Sequence, residues 1–199
     1  MKLKIIIITL GLFFQSVVQA APIVYFDFDG DGLQDSSTSV VLGSSFTASL
    51  YVTNVDAVEG GLLGWGSEVN FNNTLISANS YSLDGQWFLP GVENNINNAG
   101  SSVELFAARL SGLTGTIKLA DINFDTLSIG SSQLTMSELF SANLSFTGFG
   151  GASGHDYDAN ILFSNADATI NVSAVPLPPA ILLFVSGLIG LSGIKKLRR

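Results

Sequence analysis

One short acidic segment has the residue types and the spacing of a metal-binding loop. Carboxylates occupy positions 1, 3, 5 and 9 of the segment Asp27–Asp35, as Asp27, Asp29, Asp31 and Asp35. Gly32 stands at position 6, where the chain must turn sharply, and Leu33 at position 7 would contribute its backbone carbonyl. Hard oxygen ligands at this spacing suit Ca²⁺. The segment, called here the acidic loop, therefore predicts a calcium site.

Position 12 of the acidic loop departs from a complete EF-hand. It is Thr38 rather than a bidentate glutamate, and no helical pattern flanks the loop. The segment instead resembles the DxDGDGxxD loops of dockerins and thrombospondin type 3 repeats, in which a distant residue completes the metal shell. We expect weak affinity, on the order of 10⁻⁴–10⁻³ M, as in extracellular calcium modules. An acidic, solvated turn without metal is the alternative interpretation.

The sequence contains little that could perform catalysis. It has no cysteine and a single histidine, His155, and it lacks the G-x-S-x-G pattern of a nucleophile elbow. Thiolate-zinc, iron–sulfur and cysteine-nucleophile chemistry are therefore excluded. Sixteen acidic residues allow many carboxylate pairs, but the pattern singles out none for glycoside hydrolysis. We predict that the protein is not an enzyme.

Two adjacent aromatic residues, Trp87 and Phe88, follow the turn Asp84-Gly85. Aromatic rings on the face of a β-sandwich can stack on sugars, so a polysaccharide-binding role is one interpretation of this pair. The competing interpretation is that both rings cap the hydrophobic core.

The elements that must position these residues are strands. Apolar and polar residues alternate with a period of two in four segments, which is the pattern of strands with one buried side. The apolar residues of the four segments are Phe46, Ala48, Leu50 and Val52; Trp65, Val69 and Phe71; Ile122 and Phe124; and Ala168, Ile170 and Val172. Glycine-rich and asparagine-rich turn signals separate such segments, and Pro90–Ser102 has the polar composition of a long exposed loop. This pattern predicts an all-β, two-sheet jelly-roll sandwich.

Three sequence segments resemble strands of a known family of such sandwiches. The segment Glu68–Leu75 reads EVNFNNTL, Gly115–Phe124 reads GTIKLADINF, and Gly130–Leu134 reads GSSQL. In this order they are similar to the strands of cohesin modules, over about residues 38–174. The resemblance implies a cohesin-like fold that binds protein partners, typically dockerin-type modules, or attaches to a surface. It implies no catalysis.

The first twenty residues are typical of a secretory signal peptide. Lys2 and Lys4 precede the apolar run Ile5–Phe14, and a small-residue cleavage site places the cut between Ala20 and Ala21. Residues 1–20 are therefore predicted to direct export and to be removed.

The last 25 residues have the pattern of a sorting tail. A motif of Val175, Pro176, Leu177, Pro178 and Pro179 precedes an uncharged apolar run, predicted as a membrane helix over about residues 178–194, and four basic residues follow in 195–199. The tail resembles the VPLPA variant of the PEP-CTERM sorting signal of Gram-negative bacteria, although Pro179 stands where alanine is commoner. The resemblance implies transient anchoring in the inner membrane, cleavage near the proline motif by an exosortase-type transpeptidase, and delivery to the cell surface or extracellular matrix.

Charge further limits the choice of partners. Between residues 21 and 174 only Arg109 and Lys118 are basic, against all sixteen acidic residues, which gives this region a formal charge of 2 − 16 = −14. Nucleic acid is a poor partner for such a surface, whereas divalent cations and cation-bridged acidic polymers are suitable ones. The acidity also serves solubility in any secreted domain.

Four regions follow from these patterns: a signal peptide at 1–20, an acidic calcium-type segment at 21–37, a cohesin-like sandwich at 38–174 and a sorting tail at 175–199. The sequence predicts an exported, non-catalytic adhesion or matrix-binding module with Ca²⁺ as cofactor. Capture of a dockerin-bearing protein and binding of extracellular polysaccharide are the alternative functions, and a glycoside-active enzyme is the least favoured one.

Overall fold

The structure, a computed structural model, describes residues 20–57, 60–90, 94–139, 148–151, 157, 161–163, 166–176 and 183–189. Within these residues the chain forms twelve strands: β1 (Ile23–Asp27), β2 (Ser37–Val41), β3 (Ser45–Val55), β4 (Leu62–Asn70), β5 (Ile76–Leu83), β6 (Leu89–Pro90), β7 (Asn95–Asn97), β8 (Ser102–Leu113), β9 (Gly115–Thr126), β10 (Gly130–Glu138), β11 (Gly150–Gly151) and β12 (Ala168–Ser173).

The strands form two sheets. The smaller sheet has the order β1-β3-β9-β5 and is antiparallel throughout. The larger sheet has the order β2-β12-β10-β4-β8-β6, with β11 paired to β4 and β7 paired to β8. Among the described residues, its one parallel strand pair joins β2 to β12, the last of the twelve strands. The predicted all-β, two-sheet architecture is confirmed.

Alternation along the strands places the core where the sequence pattern predicts it. Ala48, Leu50 and Val52 of β3, Ile122 and Phe124 of β9, and Ala168, Ile170 and Val172 of β12 are all buried. Phe124 stacks on Phe46 with ring centroids 5.3 Å apart and meets Phe71 edge-on at 5.4 Å. The aromatic residues thus join β3 and β9 to the chain that follows β4, and this fixes how the two sheets pack.

The sandwich begins before residue 38. Ile23 pairs with Thr53 and Asp27 with Ser49, so β1 is an edge strand of the smaller sheet. The acidic loop is consequently a connection between two strands of the sandwich.

Residues 94–102, which with Pro90 are the described part of the segment Pro90–Ser102, are more ordered than the exposed loop that the composition predicts. They contain β7, and the Asn98 side chain donates to the Ala78 carbonyl (2.8 Å) and accepts from the Ala78 N–H (2.9 Å). A side-chain amide has one donor and one acceptor in the geometry of a peptide group, so Asn98 occupies the open edge of β5 as a strand would.

The predicted processing segments lie mostly outside the described residues. Ala20 is exposed at the first described position, and the Ala21 carbonyl accepts from the Asn54 side chain at 3.3 Å. Residues 1–19, 177–182 and 190–199 are not described. Residues 183–189 are helical with exposed apolar side chains, and none of the helical segments in the described part of the chain is long and apolar enough to cross a bilayer.

Candidate functional site

The acidic loop starts at the end of β1, inside the fold. Asp27 is the last residue of β1 and is only 1% exposed. Alternation along β1 buries Val24 and Phe26 in the core, so Asp27 and Tyr25 lie on the opposite side of the strand. A carboxylate at this depth requires compensating partners.

The partners of Asp27 are backbone amides of its own loop. Asp27 Oδ1 accepts from the N–H groups of Gly30 (2.7 Å) and Asp29 (3.1 Å), and Oδ2 accepts from the N–H of Gly32 (2.8 Å). Gly30 and Gly32 have φ angles of +84° and +78°, which only glycine adopts without strain. The two glycines therefore let the chain wrap around a single carboxylate.

Further hydrogen bonds tie the end of the loop to β1. The Asp35 N–H donates to the Phe26 carbonyl (2.8 Å), and the Asp35 carboxylate accepts from the Phe28 N–H (2.8 Å). The Tyr25 hydroxyl donates to the Gly32 carbonyl (2.7 Å). Burial raises the pKa of this phenol, so it remains protonated and a donor at neutral pH. The loop is thus held in one conformation by groups of β1.

Three of the predicted ligands converge. Carboxylate oxygens of Asp27, Asp29 and Asp35 lie within 4.8 Å of one another, a spacing that a cation about 2.3–2.6 Å from each oxygen can bridge. The structure does not bring Asp31 into this group; its carboxylate instead accepts from the Leu33 N–H (2.8 Å), and the Leu33 side chain is exposed. The donor set is all oxygen, which fits Ca²⁺.

The two candidate stacking residues have different environments. Trp87 is 4% exposed, its indole N–H donates to the Lys118 carbonyl (2.9 Å), and its ring meets Trp65 edge-on at 6.1 Å. The ligand-stacking interpretation is therefore wrong for Trp87, because its faces are covered by the core. Phe88 is 52% exposed and remains available on the surface.

Sequence reasoning missed an outward surface on the larger sheet. In β8, Val103, Leu105 and Ala107 are buried, so Glu104, Phe106, Ala108 and Leu110 lie on the other side of the strand. The same alternation along β8 in the sequence could have revealed it. Ala108 pairs with Leu89 of β6 and with Gly64 of β4, and Phe106 pairs with Gly66.

This surface, called here the β8 face, consists of Gly64, Gly66, Glu68, Leu89, Glu104, Phe106, Ala108 and Leu110. A Cβ on Gly66 would lie 3.3 Å from the Phe106 ring, so glycine leaves room for that ring beside β4. Leu110 is 82% exposed and Leu89 44% exposed. Adjacent apolar side chains on the outward side of a sheet are a feature of interaction surfaces.

No protein-family model matches this sequence, and a search of curated proteins finds no match. Solved structures do resemble the fold. A non-cellulosomal cohesin from Archaeoglobus fulgidus aligns with a TM-score of 0.55 at 13% identity, over 81% of this chain and 96% of that one. The fold is cohesin-like. CaCohA2 from Clostridium acetobutylicum aligns with a TM-score of 0.55 at 8% identity, over 78% of this chain and 92% of that one. A cohesin–dockerin complex from Clostridium thermocellum aligns with a TM-score of 0.55 at 7% identity, over 77% of this chain and 99% of that one.

Proposed function

We propose that the protein is an exported, non-catalytic binding module that captures a protein partner on the β8 face. The observation that carries the proposal is the exposure of Leu110 and Leu89 beside Phe106 on an outward sheet of a cohesin-like sandwich. The face of a hydrogen-bonded sheet suits partner binding because its backbone is already ordered and loses little conformational entropy on binding.

The charge of the β8 face defines the chemistry of the partner. Glu68 and Glu104 pair directly across β4 and β8, an arrangement in which like charges repel. A partner that places a lysine or arginine between the two carboxylates and apolar side chains over Leu110 relieves this repulsion and removes apolar surface from water. A dockerin-type module is the partner class we propose, since the cohesin-like structure from Clostridium thermocellum is a complex with a dockerin.

Leu110→Glu is expected to weaken binding of a purified dockerin-type module by about 30-fold or more, as loss of a central apolar contact typically costs about 2 kcal/mol or more. Titration calorimetry with each of a panel of such modules provides the measurement. Leu127→Glu is the matched control, because Leu127 is 52% exposed and lies in the turn after β9. Equal losses in both variants, or no binding by any dockerin-type module, would refute this surface or this partner class respectively.

We further propose that the chain is exported through its signal peptide and anchored briefly in the inner membrane by its tail, where an exosortase-type transpeptidase releases it to the cell surface or matrix. Supporting this, Val175 and Pro176 are exposed and are separated from β12 only by Ala174, so an enzyme could reach them without unfolding the sandwich. The large apolar side chains of residues 183–189 are exposed, as expected of a segment that a membrane surrounds.

Intact-mass measurement of the protein from its host, with and without the exosortase gene, tests the sorting proposal. We expect a mass that begins at Ala21 and ends near Val175–Pro179 in the wild type, and retention of Arg199 in the membrane fraction when the exosortase is absent. A wild-type mass that retains Arg199 would indicate a permanently anchored surface protein instead.

A further inference from the structure

The outer side of the smaller sheet has a different chemistry from the β8 face. Alternation directs the hydroxyls of Ser45, Thr47 and Ser49 on β3 away from the core, opposite an equally spaced row of Asx residues on β9. These six residues, Ser45, Thr47, Ser49, Asp121, Asn123 and Asp125, are called here the β3/β9 polar face.

Each of these three hydroxyls donates to the Asx residue across from it. Ser49 donates to Asp121 (2.6 Å), Thr47 to Asn123 (2.8 Å) and Ser45 to Asp125 (2.5 Å). The row continues onto β5, where the Asn79 amide donates to Asp125 (3.0 Å). Side chains two residues apart on a strand are about 7 Å apart, so the three pairs form a regular ladder.

This pairing leaves the ladder rich in acceptors. A serine or threonine hydroxyl has one proton and two lone pairs, and here the proton is already used within the face. The hydroxyl oxygens of Ser45 and Thr47 can therefore only accept hydrogen bonds from solvent or a ligand, and they lie beside the carboxylate of Asp125. Hydrogen bonds from Ser45 and Asn79 lower the pKa of Asp125, which keeps it charged into the acidic range.

Little positive charge opposes these acceptors. Lys118 is the only basic residue on either β3 or β9, and its ammonium pairs with Asp121 at 2.8 Å. Asp125 forms no ion pair among the described residues. An acceptor-rich surface of net negative charge is complementary to a ligand that carries many donors and positive charge.

We propose that the β3/β9 polar face binds a polysaccharide with free ammonium groups, that is, a polymer of de-N-acetylated amino sugars. Its hydroxyls supply donors to the lone pairs of Ser45 and Thr47, and an ammonium group supplies a charge-assisted hydrogen bond to Asp125. This site is independent of the proposed partner surface, because β3 and β9 belong to one sheet and β8 to the other. The module would then hold a protein on one side and a matrix polymer on the other.

Titration calorimetry of the protein purified from the exporting cells, with a glucosamine hexasaccharide and an N-acetylglucosamine hexasaccharide, tests the proposal. We expect the N-acetylated sugar to bind at least about tenfold more weakly, since a charge-assisted hydrogen bond is typically worth at least about 1.4 kcal/mol. Asp125→Asn preserves the shape and the acceptor for Ser45. It removes the charge and the acceptor for the Asn79 amide, and should cause a similar loss for the glucosamine sugar alone.

Gln133→Ala is the matched control, because Gln133 is exposed on β10 of the other sheet. It should leave sugar binding unchanged, as should Leu110→Glu on the β8 face. Equal binding of the two sugars, or full binding by Asp125→Asn, would overturn the proposal. Equally tight binding of hexalysine would also overturn it, since it would show attraction to charge without recognition of a sugar. None of these outcomes bears on partner capture by the β8 face.

Discussion

Asp27→Ala is expected to lower the free energy of unfolding by about 3–5 kcal/mol, among the largest effects of any single substitution in this protein. The Asp27 carboxylate accepts three backbone N–H groups of the acidic loop, and alanine would leave all three without their acceptor. Urea denaturation followed by fluorescence provides the measurement, because Trp65 and Trp87 are both buried and report on the core.

Asp31→Ala is the matched control within the same loop. Asp31 is exposed, and its carboxylate accepts only from the Leu33 N–H among the described contacts, so we expect a loss below about 1 kcal/mol. Equal losses from both substitutions would contradict the assignment of Asp27 as the centre of the loop.

The effect of calcium on the melting temperature is a second test of the roles of the acidic-loop carboxylates. If the loop binds Ca²⁺, calcium raises the melting temperature of the wild type, and Asp29→Ala combined with Asp31→Ala abolishes the rise. Because only Asp29 belongs to the converging group with Asp27 and Asp35, Asp29→Ala alone should abolish it and Asp31→Ala alone should preserve most of it. No calcium-dependent rise in the wild type would reject the metal site.

Trp87→Ala is the second substitution with a large expected effect, a loss of about 3–5 kcal/mol in the free energy of unfolding. It removes a buried indole, its edge-on contact with Trp65 and its hydrogen bond to the Lys118 carbonyl. Thermal and urea unfolding provide the measurement. The neighbouring substitution Phe88→Ala is the control and should change stability by no more than about 0.5 kcal/mol, since that ring is largely exposed.

Binding data on the same two variants complete the comparison. A Trp87→Ala protein with wild-type stability but no affinity for sugars would restore the stacking role that the buried position of Trp87 argues against. Phe88 is the one member of the pair whose substitution can alter ligand binding without altering the fold.

Local pattern was sufficient to predict four of the strands, β3, β4, β9 and β12, and most of their buried residues. The alternation in Ser45–Val55 correctly places Ala48, Leu50 and Val52 in the core, because a strand with one solvent-exposed face alternates. It did not predict that Ser49 is also buried, or that Val55 is buried next to an exposed Asn54. The acidic loop was also predictable in part: its spacing identified Asp27, Asp29 and Asp35, but not that Asp31 lies apart from them. That separation depends on how the loop folds back onto β1.

Long-range packing explains what the sequence pattern could not predict. Whether Trp87 faces water or the core depends on Trp65, twenty-two positions earlier, and on the Lys118 carbonyl of β9. The Asn98 side chain pairs with the edge of β5 as a strand would. The polar, asparagine-rich composition around Asn98 predicts an exposed loop and gives no sign of this role. The β3/β9 polar face likewise exists only once the register of two strands 76 residues apart is known.

The position of β12 gives the module a way to bear load. β12 lies between β2 and β10 with five residue pairs on each side, and it leads directly to the exposed Val175. Tension applied through a tether at that end acts along β12. It therefore loads the backbone hydrogen bonds to β2 and to β10 all at once, instead of breaking the residue pairs one after another. Rupture under force is governed by the height of the unfolding barrier. A partner held on the β8 face would therefore remain attached to a matrix under tension for as long as β12 stays paired with both β2 and β10.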